Sequence, residues 1–315
     1  GAGCMSKIAF IYPGQGAQKC GMGRDFYENS EQAERYFDDV CGQLDFDLKK
    51  ICFTENEEIN QTEFTQPAMV AVCLMITQEL LMRGIRPEMT AGLSLGEYAA
   101  IATAGAFSME DAVLLVRERG KLMQYTVPAG IGGMSAVLGM EAEKIEAVLQ
   151  DIPGAMIANY NCPGQIVITG ELTALEKAGA ALKEAGAKRV LPLKVSGPFH
   201  SPLLAGAGEK LRNLLEDYEV RRPQAAFVSN VTAEEEDDPD ELKELLGRQV
   251  CSPVRWQQSM EYMIQNGVDT FIEIGPGHTL SGFAKKIDRS LQIYNVETEE
   301  DLEAVNRLVE SGKKS

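Results

Sequence analysis

Two histidines, one tryptophan and no CxxC pair in 315 residues narrow the chemistry of this chain before any motif is considered. Neither histidine stands beside a cysteine pair or in an HExxH pattern, so no metal site is expected. The seven cysteines (Cys4, Cys20, Cys41, Cys52, Cys73, Cys162, Cys251) are scattered, which argues against a disulfide scaffold and for reduced thiols. Basic residues are in deficit: 30 Lys and Arg against 47 Asp and Glu leave a net charge of −17, which opposes broad binding to a polyanion, and nucleic acid is not an expected partner. No apolar run reaches the roughly 18 residues of a membrane span, and no basic stretch followed by an apolar core opens the chain. A cytoplasmic location with no membrane partner is the resulting expectation. Gly1 to Cys4, ahead of Met5, read as an expression scar.

What is present is the composition of a soluble globular protein, 44% hydrophobic and 24% charged, with length enough for a large domain carrying a smaller one. "KIAFIYPGQG" is a short apolar run stopped by Pro13 and Gly14, a buried strand delivering a loop. Residues 64–83 predict a buried helix, with Pro67 tolerated near its start and Gly84 closing it. "PEMTAGLS" predicts a strand and "LGEYAAIATAGA" a helix, so Ser94 falls in a strand–turn–helix context. Ser108 opens a further helix through 109–124. At 100° per residue Met109, Val113, Val116, Gly120 and Met123 form one stripe, with Arg117 and Arg119 on its opposite borders. Periodicity does not choose between the two arginines.

From 129 to 195 the pattern becomes βαββαβ, the split βαβ order of a ferredoxin-like unit, inserted in an α/β fold with a mostly parallel sheet. "AAFVSNVTA" and "VDTFIEIGPG" predict further strands, with helices between and after them. Asp238 and Pro239 mark a helix start inside an acidic run. Basic groups at Lys188/Arg189/Lys194, Arg221/Arg222 and Lys285/Lys286/Arg289 stand out against the acidic background.

The chemistry centres on "GLSLGEY" (92–98), a GxSxG pentapeptide that can place a serine on a sharp turn. Ser94 needs a base, and only His200 and His278 are available. Both follow strand ends. His200, in "SGPFHSPLL", is the better candidate because Phe199 and two prolines can hold it rigidly. The Leu95 N–H follows the serine as an oxyanion donor, and "PGQGAQ" has the glycines to bring a second amide close. That loop lacks the spacing of a phosphate loop.

Taken in order, "YPGQGAQ" (12–18), "GLSLGEY", "RERG" (117–120), "NYNCPGQIVITG" (159–170), "GPFHS" (197–201), "CSPVRW" (251–256) and "EIGPG" (273–277) resemble the malonyl-CoA:acyl carrier protein transacylase family of fatty acid synthesis, from Met5 to about residue 290. The resemblance implies an α/β-hydrolase-like subdomain (5–128 and 196–315) with an inserted ferredoxin-like subdomain (129–195). It implies Ser94 as the nucleophile, His200 as the base, Arg117 as the bidentate partner of the malonyl carboxylate, and the Gln15 and Leu95 amides as the oxyanion hole. Gln249 would orient the histidine through its carbonyl in place of an acid, and Asn161 would face the substrate. Phe199 is the pattern of malonyl-selective members. Leu93 departs from the frequent GHSxG, which bears on the shape of the acyl pocket. The implied substrates are malonyl-CoA and acyl carrier protein, with no cofactor. A trans-acting polyketide acyltransferase, a serine thioesterase or hydrolase, and a non-catalytic acyl- or CoA-binding subunit are the alternatives.

Overall fold

The computed structural model describes residues 6–195 and 197–314, with side chains as far as residue 309. Residues 1–4, read as a scar, and Cys4 with them lie outside the described residues. The strands are β1 (Ile8–Tyr12), β2 (Met89–Gly92), β3 (Gly132–Leu138), β4 (Ala155–Cys162), β5 (Gln165–Glu171), β6 (Arg189–Pro192), β7 (Ala226–Phe227), β8 (Thr270–Ile274) and β9 (Gln292–Val296). They form two sheets.

The first sheet has the order β7-β2-β1-β8-β9 with every pairing parallel. Its central strands are mostly apolar and almost wholly buried, as expected where helices cover both faces, with Thr90, Thr270 and Glu273 the buried polar residues among them. Two features differ from the sequence reading. Strand β7 has only two residues, because after the Val228 N–H reaches the Thr90 carbonyl the chain turns, with Ala233 at φ 58°, and presents Asn230 to the interior. Strand β9 was not anticipated: "QIYNV" is a half-exposed edge strand with polar residues and gives little alternation.

The second sheet, β4-β5-β3-β6, is antiparallel throughout and follows the chain order βαββαβ. Its helices, Ala142–Leu149 and Leu172–Glu184, bury Ile145, Leu175, Ala178 and Leu182 against it. The molecule thus combines a mostly parallel α/β sheet with an inserted ferredoxin-like unit. Strand β4 is tied to the segment that precedes the helix Trp256–Gln265, where the Tyr160 N–H donates to the Val254 carbonyl and the Val254 N–H to that of Ala158.

The helix Thr62–Met82 fills the core under the first sheet. Contrary to the expectation that no run is long enough, it has the length and composition to cross a bilayer, yet 83% of its most apolar 18-residue window is buried inside the protein. Pro67 lies in its second turn. A proline has no N–H to donate to the carbonyl four residues back, so the Glu63 carbonyl needs another donor. The helix Met109–Tyr125, capped by the Ser108 hydroxyl accepting from the Asp111 N–H, packs alongside and supplies it.

Candidate active site

Strand β2 ends at Gly92, and the helix Gly96–Thr103 begins four residues later. Ser94 between them has φ 52°, the left-handed region that side chains disfavour. The turn is so tight that a Cβ on Gly92 would lie 2.0 Å from the Gly96 carbonyl carbon, and one on Gly96 2.3 Å from the Tyr12 oxygen. Glycine is required at both places. The strained turn is held from outside: Asn230 Oδ1 accepts the Ser94 N–H at 2.8 Å, Asn230 Nδ2 donates to the Gly92 carbonyl at 2.7 Å, and Gln249 Nε2 donates to the Ser94 carbonyl at 2.8 Å.

Ser94 Oγ lies 2.7 Å from His200 Nε2, and His200 Nδ1 lies 2.8 Å from the Gln249 carbonyl oxygen. A carbonyl can only accept, so Nδ1 carries the proton and Nε2 presents a lone pair to the serine hydroxyl. Burial, reinforced by the Arg119 cation, lowers the His200 pKa to about 4, so the ring is neutral at physiological pH and able to take a proton. His278 is exposed, 3.7 Å from Glu297, and does not line the site.

The structure corrects the choice of arginine. Arg117 is not at the site: its Nε and Nη2 donate to the two Asp45 oxygens at 2.9 and 3.2 Å, and its Nη1 to the Glu63 carbonyl that Pro67 leaves unserved, at 3.1 Å. Its guanidinium also lies between the rings of Phe46 and Phe64, 4.7 and 5.0 Å from their centroids. Every face of Arg117 is engaged. Arg119, two residues on and fully buried, points the other way, donating to Ser94 Oγ at 3.2 Å, Gln249 Oε1 at 2.8 Å and Gln66 Oε1 at 2.9 Å. Its hydrogen-bond partners are all neutral, and its Nε has none among the described residues. A buried cation so placed attracts an anion.

These groups border a cavity of about 360 Å³ lined by Ser94, His200, Arg119, Gln15, Leu93, Leu95, Asn161, Phe199 and Phe283 among others. Of the residues singled out in the sequence, Gln15, Leu95, Asn161 and Phe199 therefore meet Ser94 and His200, and Gln249 stands behind them. Among the described residues the Gln15 and Leu95 N–H groups donate to no acceptor, and Leu95 opens the helix that follows the serine. Asn161 Oδ1 is buried without a partner among the described residues. Phe199 packs with Met123, Met134 and Val167 on the apolar wall.

Sequence reasoning missed Gln66, Asn230 and Glu97. Glu97 stood in the quoted "GLSLGEY" without a role. It is 1% exposed, and burial pushes its pKa up to about 8 against the pull of the Asn230 N–H, Arg119 and Gln249.

A serine so activated, beside unpaired amides and a buried cation, is equipped to exchange acyl groups, and the chain belongs to the acyl transferase family: the family described as "Acyl transferase domain" matches residues 9–302. Within that family the chain is similar to malonyl CoA-acyl carrier protein transacylases. It is 44% identical over 304 residues to the malonyl CoA-acyl carrier protein transacylase of Bacillus subtilis (strain 168), covering 95% of this chain and 96% of the relative. The solved malonyl CoA-acyl carrier protein transacylase from Clostridium perfringens superposes with a TM-score of 0.94 at 43% identity over 98% of both chains. A malonyl-transacylase in complex with a type II PKS acyl-carrier protein superposes with a TM-score of 0.93 at 38% identity, over 96% of this chain and 99% of that one.

Proposed function

We infer that the protein transfers the malonyl group of malonyl-CoA to the thiol of acyl carrier protein through a malonyl ester of Ser94, in support of fatty acid synthesis. The observation that carries this reading is Arg119, a buried cation with only neutral hydrogen-bond partners, beside the Ser94–His200 pair. In the first half-reaction Ser94 Oγ attacks the thioester carbonyl and its proton passes to His200 Nε2. The developing oxyanion is met by the N–H groups of Gln15 and Leu95. The C–S bond breaks and the proton leaves with CoA. In the second, the carrier thiol gives its proton to His200 and attacks the ester, and Ser94 recovers the proton as it departs.

Arg119, in the role the resemblance gave to Arg117, pairs with the free carboxylate of the acyl group. A neutral acetyl group offers that cation no charged hydrogen-bond partner, so carboxylated substrates are favoured. Asn161 Oδ1 offers the substrate an acceptor, and Phe199 limits an α-branch, a preference worth about 1–3 kcal/mol. The thioester is already activated, so the transfer calls for no cofactor. Residues 5–128 and 196–315 act in this reading as the catalytic subdomain and 129–195 as a small subdomain closing one wall of the cavity. The six described cysteines are free thiols, in keeping with a cytoplasmic location.

The carrier is proposed to dock over the helix Thr279–Ile287. Its Thr279, Leu280 and Phe283 line the cavity, while Lys285 and Lys286, with Arg289 beyond its end, line a separate open basic cavity of about 620 Å³. Arg221 and Arg222, by contrast, face Glu219 and Asp237.

Intact-protein mass after brief exposure to malonyl-CoA tests the reading. A malonyl-sized gain is expected in the native protein and none in Ser94→Ala. A native protein that gains no mass and releases no CoA would sink it, while steady CoA release without a carrier would make it a hydrolase.

A further inference from the structure

Behind the reacting groups lies a carboxylate for which the transfer chemistry has no step. Glu97 is the third residue after Ser94, on the helix Gly96–Thr103, and is buried. Its Oε2 accepts the Asn230 backbone N–H at 2.7 Å, and its Oε1 accepts Gln249 Nε2 at 3.0 Å. Each oxygen thus accepts from an N–H donor, an arrangement that the ionised form completes, and burial raises the pKa to about 8, so that form fills as pH rises towards 8.

Both partners reach the reacting atoms. Asn230 holds the Ser94 N–H and the Gly92 carbonyl, the two ends of the strained turn. Gln249 holds the Ser94 carbonyl through Nε2, Arg119 through Oε1 and His200 through its backbone carbonyl. The side-chain amide of Gln249 could sit either way round in isolation. Once ionised, Glu97 can only accept on one side, and Arg119 can only donate on the other, so a single orientation is permitted.

We propose that Glu97 is a positioning residue for acyl transfer, which through Asn230 and Gln249 holds Ser94 and His200 in the geometry that reacts. The proposal rests on Ser94 being the acylated residue. Glutamine at 97 has the same shape but must turn its NH₂ towards the Asn230 N–H or the Gln249 NH₂. Donor would then face donor inside the protein, and the Ser94 turn would lose its fixed support.

The test compares two reagents on native protein, Glu97→Gln and Arg119→Ala. One is malonyl-CoA, and the other is an organophosphorus fluoride without a carboxylate, which modifies an activated serine and has no use for the Arg119 cation. Ser94 labelling is followed by rapid quench and intact mass, with near-UV circular dichroism as the check on folding. Glu97→Gln is expected to slow both reactions about tenfold or more with an unchanged folded spectrum. Arg119→Ala is expected to lose mainly the malonyl reaction. Native rates with both reagents in Glu97→Gln overturn the proposal. So does a loss confined to malonyl-CoA, which would assign Glu97 to Arg119 alone. If Glu97→Gln does not fold, Glu97→Asp serves: it keeps the charge but withdraws the carboxylate by one methylene, and native rates in folded Glu97→Asp overturn the proposal equally. The organophosphorus reaction decides the matter even where malonyl-CoA leaves no mass on the native protein, so failure of the malonyl reading and failure of this one are told apart.

Discussion

Arg117 and Arg119 stand two positions apart on one helix, both buried, and they do opposite things. Replacing Arg119 with alanine is expected to lower the preference for malonyl-CoA over acetyl-CoA about 100-fold or more, because the charged partner of the acyl carboxylate is gone. Arg117→Ala should leave that preference untouched and cost about 1–3 kcal/mol of stability, since it strips the Glu63 carbonyl and Asp45 of their donor. Competition between the two thioesters, with urea midpoints alongside, separates the variants. A selectivity change in Arg117→Ala alone would reverse the assignment. The sequence leaves this choice open for a physical reason: positions two apart on a helix face nearly opposite ways, and their partners Asp45, Glu63, Gln66 and Gln249 lie far along the chain. Ser94 and His200 were legible because a GxSxG between strand and helix is distinctive and histidines are scarce. Glu97 and Asn230 were not, because a lone acid or amide gives no sign that it will be buried.

The elements that carry the site were mostly readable from apolar runs broken by glycine. The split βαβ order between 129 and 195 and the strand–turn–helix at Ser94 both follow from such punctuation. What escaped was the edge strand β9, a half-exposed run whose period is too weak to read, and the shortness of β7, which keeps only two residues of ladder inside the longer predicted strand. One element acts on two scales. The helix Thr279–Ile287 lends Leu280 and Phe283 to the cavity and Lys285 and Lys286 to the surface. Lys285→Glu combined with Lys286→Glu should raise the KM for the carrier about tenfold and flatten its salt dependence. Acylation by malonyl-CoA alone should stay at its native rate, and an unchanged carrier KM would place the dock elsewhere.

For the whole molecule, two buried groups pull the pH dependence of stability in opposite directions. His200 drops from an unfolded value near 6.5 to about 4, so the unfolded chain binds the extra proton and stability falls as pH falls through that window. Glu97 rises from 4.5 to about 8, so the folded chain keeps the proton and stability falls as pH rises. Above pH 6.5 only Glu97 of this pair still acts, and its share is a loss of about 2 kcal/mol between pH 6.5 and 8. Acylation should move the other way, climbing towards pH 8 as the ionised form fills, because His200 is already neutral and Tyr98 is held protonated by burial. Urea midpoints and quenched acylation rates across this range check both trends, and Glu97→Gln should flatten each. A native protein whose midpoint and rate run parallel would contradict the argument.

The support of the Ser94 turn by Asn230 and Gln249 also has a meaning in time. The serine is made 136 residues before the amide that receives its N–H and 155 before the side chain that holds its carbonyl. At about 5–20 residues per second, a ribosome takes roughly 10–30 s to supply the second of them. During that interval the nascent chain carries a serine turn with neither its external supports nor the carbonyl that orients His200. The turn thus gains its full support only once Gln249 has been made.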